Sequence, residues 1–148
     1  MAPQQGVLCW VEIPAKDMDK VYEFYKSAFP EWKFKETMTE TDGQAKKMYQ
    51  ITFDPSSQNM LGGGIIQLPE QYKVEVQPMG AGLVPYFWSN NIEESVAKME
   101  KLGAKLSLPK MDQNGMGWFC NLDDPEGNRF GLYQLSSKGQ AEGTKTES

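Results

Sequence analysis

An α+β fold made of two βαβββ modules is what this sequence predicts, and three observations predict it. Two amphipathic helix patterns, each preceded by a capping residue and a short apolar run, recur at an offset of 74 residues, from Asp17 to Asn91. Each is followed by three strand-like runs separated by turn signals. The chain has 148 residues, enough to bury about 70% of its unfolded surface and to hold a core without disulfides.

The first module is expected over residues 7–68. Residues 7–13 form an apolar run that ends at Pro14. Asp17 is placed to cap a helix, and Asp19 sits in its first turn, where a carboxylate meets the positive helix end. Met18, Tyr22, Tyr25 and Phe29 recur at i, i+4, i+7 and i+11 along one helix face, and Pro30 stops it. Strand-like runs follow at residues 33–37, 48–53 and 60–68, with Asp42-Gly43 as a hairpin signal and Asp54-Pro55 as a turn. Residues 69–82 carry Pro69, Pro78, Gly80 and Gly82 and read as a connection between the halves.

The second module, residues 83–135, repeats the order. An apolar run at 83–88 leads to Asn91 as the cap, with Glu94 three residues on as in a capping box. Ile92, Val96 and Met99 mark the buried face, and Gly103 supplies the left-handed exit. Strands are expected at 105–108, 116–122 and 129–135, joined through Asn114-Gly115 and Asp124-Pro125. Residues 136–148 have no apolar side chain larger than Ala, and this tail is expected to be disordered.

Composition excludes several classes of function. Lys plus Arg is 15 against 20 for Asp plus Glu, a net charge of -5, so nothing draws the chain to nucleic acid or to an anionic membrane. No apolar run approaches the roughly 18 residues of a membrane span. The N-terminal residues lack the basic and apolar regions of a secretory signal. Cys9 and Cys120 are the only cysteines and have no CxxC spacing, which points to two free thiols in a reducing, cytoplasmic setting. There are 0 histidines. That removes Ser-His-Asp and Cys-His catalysis and every metal site built on imidazole.

Three segments carry a family resemblance. CWVEIPAKDMDKVYEFYKSAFPEW resembles the opening of a glyoxalase/bleomycin-resistance/dioxygenase domain, the vicinal oxygen chelate superfamily. PYFWSNNIEESVAKMEKLGAKL resembles its second module, and FCNLDDPEGNRFGLYQ its closing hairpin. The resemblance covers residues 7–135 and implies one domain whose two curved sheets surround a cavity, with the helices outside. It also implies homodimerisation, by edge pairing or module exchange. Metal-dependent members of the family place ligands at four cavity positions, which correspond here to Trp10, Val84, Gly131 and a point near Gly63. None of these side chains can bind a metal. The fold and the cavity therefore carry over, while the metal chemistry does not, and neither a metal nor another cofactor is expected.

Strand parity, counted from those positions, sorts the remaining residues. Trp10 and Glu12 face inward while Val11 and Ile13 pack under the helix. Tyr86 and Trp88 face inward and Phe87 outward. Arg129 and Tyr133 face inward, with Phe130 and Leu132 outward. The inward aromatics Trp10, Tyr86, Trp88 and Tyr133 either line a pocket for a flat or apolar small molecule or fill the space themselves. Glu12 within such a pocket would have a raised pKa and could serve as a general acid or base. Alternatively it pairs with Arg129 or reaches solvent, as buried acids are usually paired.

The other motifs read as structural. Gly62-Gly63-Gly64 lacks the Lys and the helix of a phosphate loop, and fits a strand bend or a close backbone approach. Asp123-Asp124-Pro125-Glu126 lacks the alternating spacing of a calcium loop and reads as a turn. Cys9 and Cys120 read as small core residues.

The expected function is metal-independent binding of a small apolar or aromatic molecule, for sequestration or metabolite handling. The alternatives are a metal-free isomerase, epimerase or lyase using Glu12 with Tyr86 or Tyr133, and an association subunit without ligand.

Overall fold

The computed structural model describes residues 5, 8–41, 44–58, 61–68 and 84–146. They fall in two compact units, Met1–Lys73 and Val74–Ser148. The Asp42-Gly43 hairpin signal and the connection at 69–82 lie outside the described residues.

The first unit runs β1 (Trp10–Ala15), α1 (Met18–Ala28), β2 (Lys33–Thr41), β3 (Gln44–Thr52) and β4 (Gly62–Gln67). Its sheet has the order β1-β4-β3-β2. β1 and β4 pair in parallel and the other pairs are antiparallel. The first strand thus lies beside the last, and the chain between them contains the covering helix. Asp17 caps α1 by accepting the Lys20 N–H at 3.1 Å. Met18, Val21, Phe24, Tyr25 and Ala28 are buried, and Ile13, Ala15, Ile51 and Ile65 form the sheet side of this core. The buried helix stripe is wider than the sequence pattern, because Val21 and Phe24 join it. Tyr22 sits at its margin, stacked on Tyr49 at 4.0 Å. β1 continues through Pro14 to Ala15. It is an edge strand, where a missing N–H is tolerated.

A polar clasp ties α1 to β3. The Tyr49 hydroxyl donates to Asp19 Oδ1 at 2.6 Å, and Lys47 Nζ reaches the same oxygen at 3.3 Å. The Tyr49 hydrogen bond, and then Lys47, hold the Asp19 carboxyl below its usual range. The same bond pushes the Tyr49 phenol up.

The second unit runs β5 (Tyr86–Trp88), α2 (Ile92–Lys101), β6 (Lys105–Gln113), β7 (Gly117–Asp123), β8 (Arg129–Leu135) and α3 (Ser137–Thr146). Its sheet order, β5-β8-β7-β6, reproduces that of the first unit. The parallel pair is again first with last, β5 with β8. Asn91 accepts the Glu94 N–H at 3.1 Å, and Gln134 of β8 accepts the Ile92 N–H at 2.9 Å. Together they satisfy two of the donors that a helix start leaves open. Gly103, at φ +103, makes the exit. Ile92 and Met99 are buried on α2, and Cys120, Leu122, Phe130 and Leu132 are buried on the sheet. Burial pushes the Cys120 thiol up. Asn114 and Gly115 both have positive φ, 51° and 74°, as a tight β6–β7 reversal needs. The buried Asp124 organises the next turn, accepting from the backbone N–H groups of Glu126 and Asn128, both at 2.9 Å.

Three strands, β2, β3 and β6, are longer than their sequence runs. The additions, at 38–41, 44–47 and 109–113, lack a continuous apolar alternation, and cross-strand pairing extends the strands without that signal. The expectation of a disordered tail is corrected, because Ser137–Thr146 is helical. Ser136 starts this helix: its carbonyl accepts the Gln140 N–H at 2.9 Å and its Oγ accepts the Gly139 N–H at 3.0 Å. Gly139 is buried against the Met116 carbonyl, with no room for a Cβ. Local capping and one glycine contact replace the apolar face whose absence argued for disorder.

Deleting residues 137–148 should lower the thermal midpoint by about 2–4 °C, the scale of about 1 kcal/mol in a chain of this size. The Asp19 clasp should give stability that is present above the usual carboxylate range and lost as pH falls through the depressed Asp19 pKa. Urea unfolding from pH 7 to pH 2 should show Asp19→Asn with a weaker acid dependence than the parent.

Candidate functional site

In both units, an aromatic on the first strand lies across glycine on the last. Trp10 on β1 is partnered by Gly62 on β4. A Cβ at Gly62 or Gly64 would meet the Trp10 ring at 3.5 Å or 3.0 Å. Tyr86 on β5 is partnered by Gly131 on β8, and a Cβ at Gly131 would overlap the Tyr86 ring. Glycine at these positions gives each ring a flat seat on the backbone. Gly63 points the other way, where a Cβ would meet the Val11 carbonyl at 2.6 Å and the Phe53 ring at 2.9 Å.

Within the second unit, Tyr86, Phe87, Trp88 and Tyr133 line a cavity of about 280 Å³. Trp88 is 73% exposed and Tyr86 46% exposed. The Trp88 and Tyr133 rings meet edge to face, 5.5 Å apart at 82°. The Tyr133 hydroxyl donates to Gln113 on β6, which fixes the ring's tilt. Phe87 leans on the buried Phe130 at 6.2 Å. The cleft thus has an anchored wall, Tyr133 and Phe87, and an exposed rim, Trp88 and Tyr86.

The sequence-derived candidates divide between the units. Trp10 and Glu12 belong to β1 of the first unit, where both are exposed. Glu12 is therefore not enclosed by aromatics. Tyr86, Trp88, Arg129 and Tyr133 belong to the second unit. Arg129 is held by Asp123, its cross-strand partner, with Nε 2.9 Å from Oδ1 and Nη2 3.4 Å from Oδ2. That hydrogen bond holds the guanidinium still more firmly protonated. Asp123, two β-residues from the Gly131 row, answers the question of Arg129's partner, which the sequence had addressed to Glu12.

Sequence reasoning missed three contributors. Phe87 was placed outward, yet it lines the cleft as well as touching Phe130. Gln113 gave no signal at the exposed end of β6. Asn121 is 6% exposed, and its Oδ1 has no hydrogen-bond partner among the described residues. A lone amide within the apolar run Trp118 to Leu122 was the available clue.

A chelated metal does not fit these residues. The Gly131 position is covered by the Tyr86 ring, Trp10 covers Gly62 and Gly64, and Val84 offers no donor atom. Among the described residues, no group of three or more Cys, Asp or Glu side chains is gathered as a metal site would need.

No protein-family model matches the chain, and no curated protein matches it. Solved structures do. A glyoxalase family protein from Bacillus cereus superposes with a TM-score of 0.71 at 15% identity, covering 90% of this chain and 96% of that one. This chain has the vicinal oxygen chelate fold. A fosfomycin resistance protein from Listeria monocytogenes shares the fold with a TM-score of 0.61 at 14% identity, over 93% of this chain and 99% of its own. An antibiotic binding protein from Streptomyces sp. CB03234 shares it with a TM-score of 0.59 at 16% identity, over 92% and 99%. Among the described residues, no helix is long and apolar enough to cross a membrane.

The two kinds of glycine in this vicinal oxygen chelate fold should respond differently to alanine. Gly63→Ala meets backbone and should cost about 1–3 kcal/mol. Gly131→Ala meets only a half-exposed ring that can swing away, and should cost less. Paired urea titrations check the order.

Proposed function

We propose that this protein binds a small, flat, largely apolar molecule in the cleft of its second unit, without a metal. The observation that carries the reading is the exposed Trp88 standing edge-on to Tyr133, with Tyr86 and Phe87 completing the lining. A large indole held at 73% exposure contributes little to folding, whereas exposed aromatic clusters mark binding surfaces. The cavity of about 280 Å³ lies at the lower edge of the roughly 300–1,000 Å³ of small-molecule pockets, and suits one or two fused rings. The metal-free reading is supported by the side chains at the four chelating positions, which are aromatic, aliphatic or absent.

Antibiotic binding, printed for the Streptomyces neighbour, supports sequestration as the purpose. The resemblance adds self-association as a homodimer, which sedimentation equilibrium reads. Two unpaired cysteines support a reducing, cytoplasmic setting.

Calorimetric titration with benzofuran, an apolar bicycle without a hydrogen-bond donor, tests the reading. Saturable binding is expected, unchanged by chelator. Trp88→Ala should weaken it about tenfold or more while altering stability by less than the roughly 3–5 kcal/mol of a core Trp truncation. Absence of saturable benzofuran binding, or its loss to chelator and return with a metal, would overturn the reading.

A further inference from the structure

Beside the cleft, the Tyr86 ring lies over Gly131, whose next cross-strand partner is a buried amide. Three residues form one row across the second sheet: Tyr86 on β5 is partnered by Gly131 on β8, and Gly131 by Asn121 on β7. Cross-strand partners share a face, so Asn121 faces the same side as the Tyr86 ring that lies over Gly131. On one flank is the row Trp88, Tyr133 and Phe119, of which Trp88 and Tyr133 line the aromatic cleft. On the other flank, Asp123 and Arg129 neutralise each other. Asn121 is 6% exposed and its Oδ1 accepts nothing among the described residues. A buried amide oxygen without a donor is costly and uncommon in folded proteins. The ring above the glycine is the movable part, because Tyr86 is 46% exposed and only a glycine lies beneath it.

We propose that Asn121 is the polar anchor of the ligand site, with Tyr86 as a side-chain gate over it. Resting on the aromatic-cleft reading, this names the ligand class: a flat aromatic molecule that carries an N–H or O–H on its ring edge. The ring occupies the cleft beside Trp88 and Tyr133. Its donor edge displaces Tyr86 from Gly131 and gives Asn121 Oδ1 the hydrogen bond it lacks. The Asp123–Arg129 pair leaves no net charge beside the amide, so a neutral donor is selected over an ion.

Indole and benzofuran separate this inference from the reading it rests on. They have nearly the same shape, and indole alone has the N–H. The parent protein should bind indole about threefold to tenfold more tightly than benzofuran, the range of one neutral hydrogen bond. Asn121→Leu should bind both equally, at the parent's benzofuran affinity. Tyr86→Ala, with the gate removed, should bind indole more tightly than the parent and keep the preference. Should Asn121→Leu not fold, the Asn121 side-chain amide resonances of the ¹⁵N-labelled parent should shift with indole and not with benzofuran. If neither probe binds, the cleft reading fails. If both bind the parent equally, or if the preference survives in Asn121→Leu or vanishes in Tyr86→Ala, the cleft stands and the anchor is overturned.

Discussion

In each unit, the strand before the helix hydrogen-bonds in parallel to the last strand of its own sheet. Everything else follows from that pairing. Parallel neighbours cannot be joined by a tight turn, so the chain returns by way of a helix that covers one face. The covered faces take the large aliphatics, Ile51 and Ile65 in the first unit, Leu122 and Leu132 in the second. Within each unit the opposite face is left to residues chosen for other reasons. The same pairing brings the first strand's side chains against the last strand's backbone, where glycine lets an aromatic ring lie flat.

That arrangement changes what the fold can do. At these glycines the chain has backbone with a ring upon it, Trp10 over Gly62 and Gly64, and Tyr86 over Gly131. Coordination needs lone pairs at fixed points. A seated ring offers area and a quadrupole instead. The repeat has also diverged in its detail. The first unit has a buried stack of Phe29 on Trp32, 4.4 Å apart, against its helix side, while the second presents Trp88 to solvent. Trp32 thus serves the core of its unit, while Trp88 is left at the surface of the other.

Much of the fold was legible because short-range chemistry determines it. Both helix starts were read to the residue, since a capping side chain has few other uses at that spacing, and Gly103 marked its own positive φ. β8 was read to both ends, as its alternation is bounded by a turn and by polar sequence. The hairpin extensions were not legible, because a run of Thr, Glu, Lys and Gln carries no apolar periodicity. Nor was α3, whose Ser136 cap and Gly139 contact depend on a turn some twenty residues away. Around the cleft, parity put Tyr86, Trp88 and Tyr133 on one sheet face, as the strand register has them. It could not find Arg129's partner or the isolation of Asn121, because both are properties of neighbouring strands rather than of their own.

The burial of Cys120 between β8 and β6 has a practical consequence. Its thiol is fully enclosed, while Cys9 is exposed. An alkylating reagent should therefore modify one sulfur at once, and the other only when the second sheet opens. Because thiolate is the reactive form and its formation here requires solvent, the slow phase clocks that opening. The natural sequence thus has an internal stopwatch for one half of the molecule, and a ligand seated on that half would be recorded as a delay in the second event.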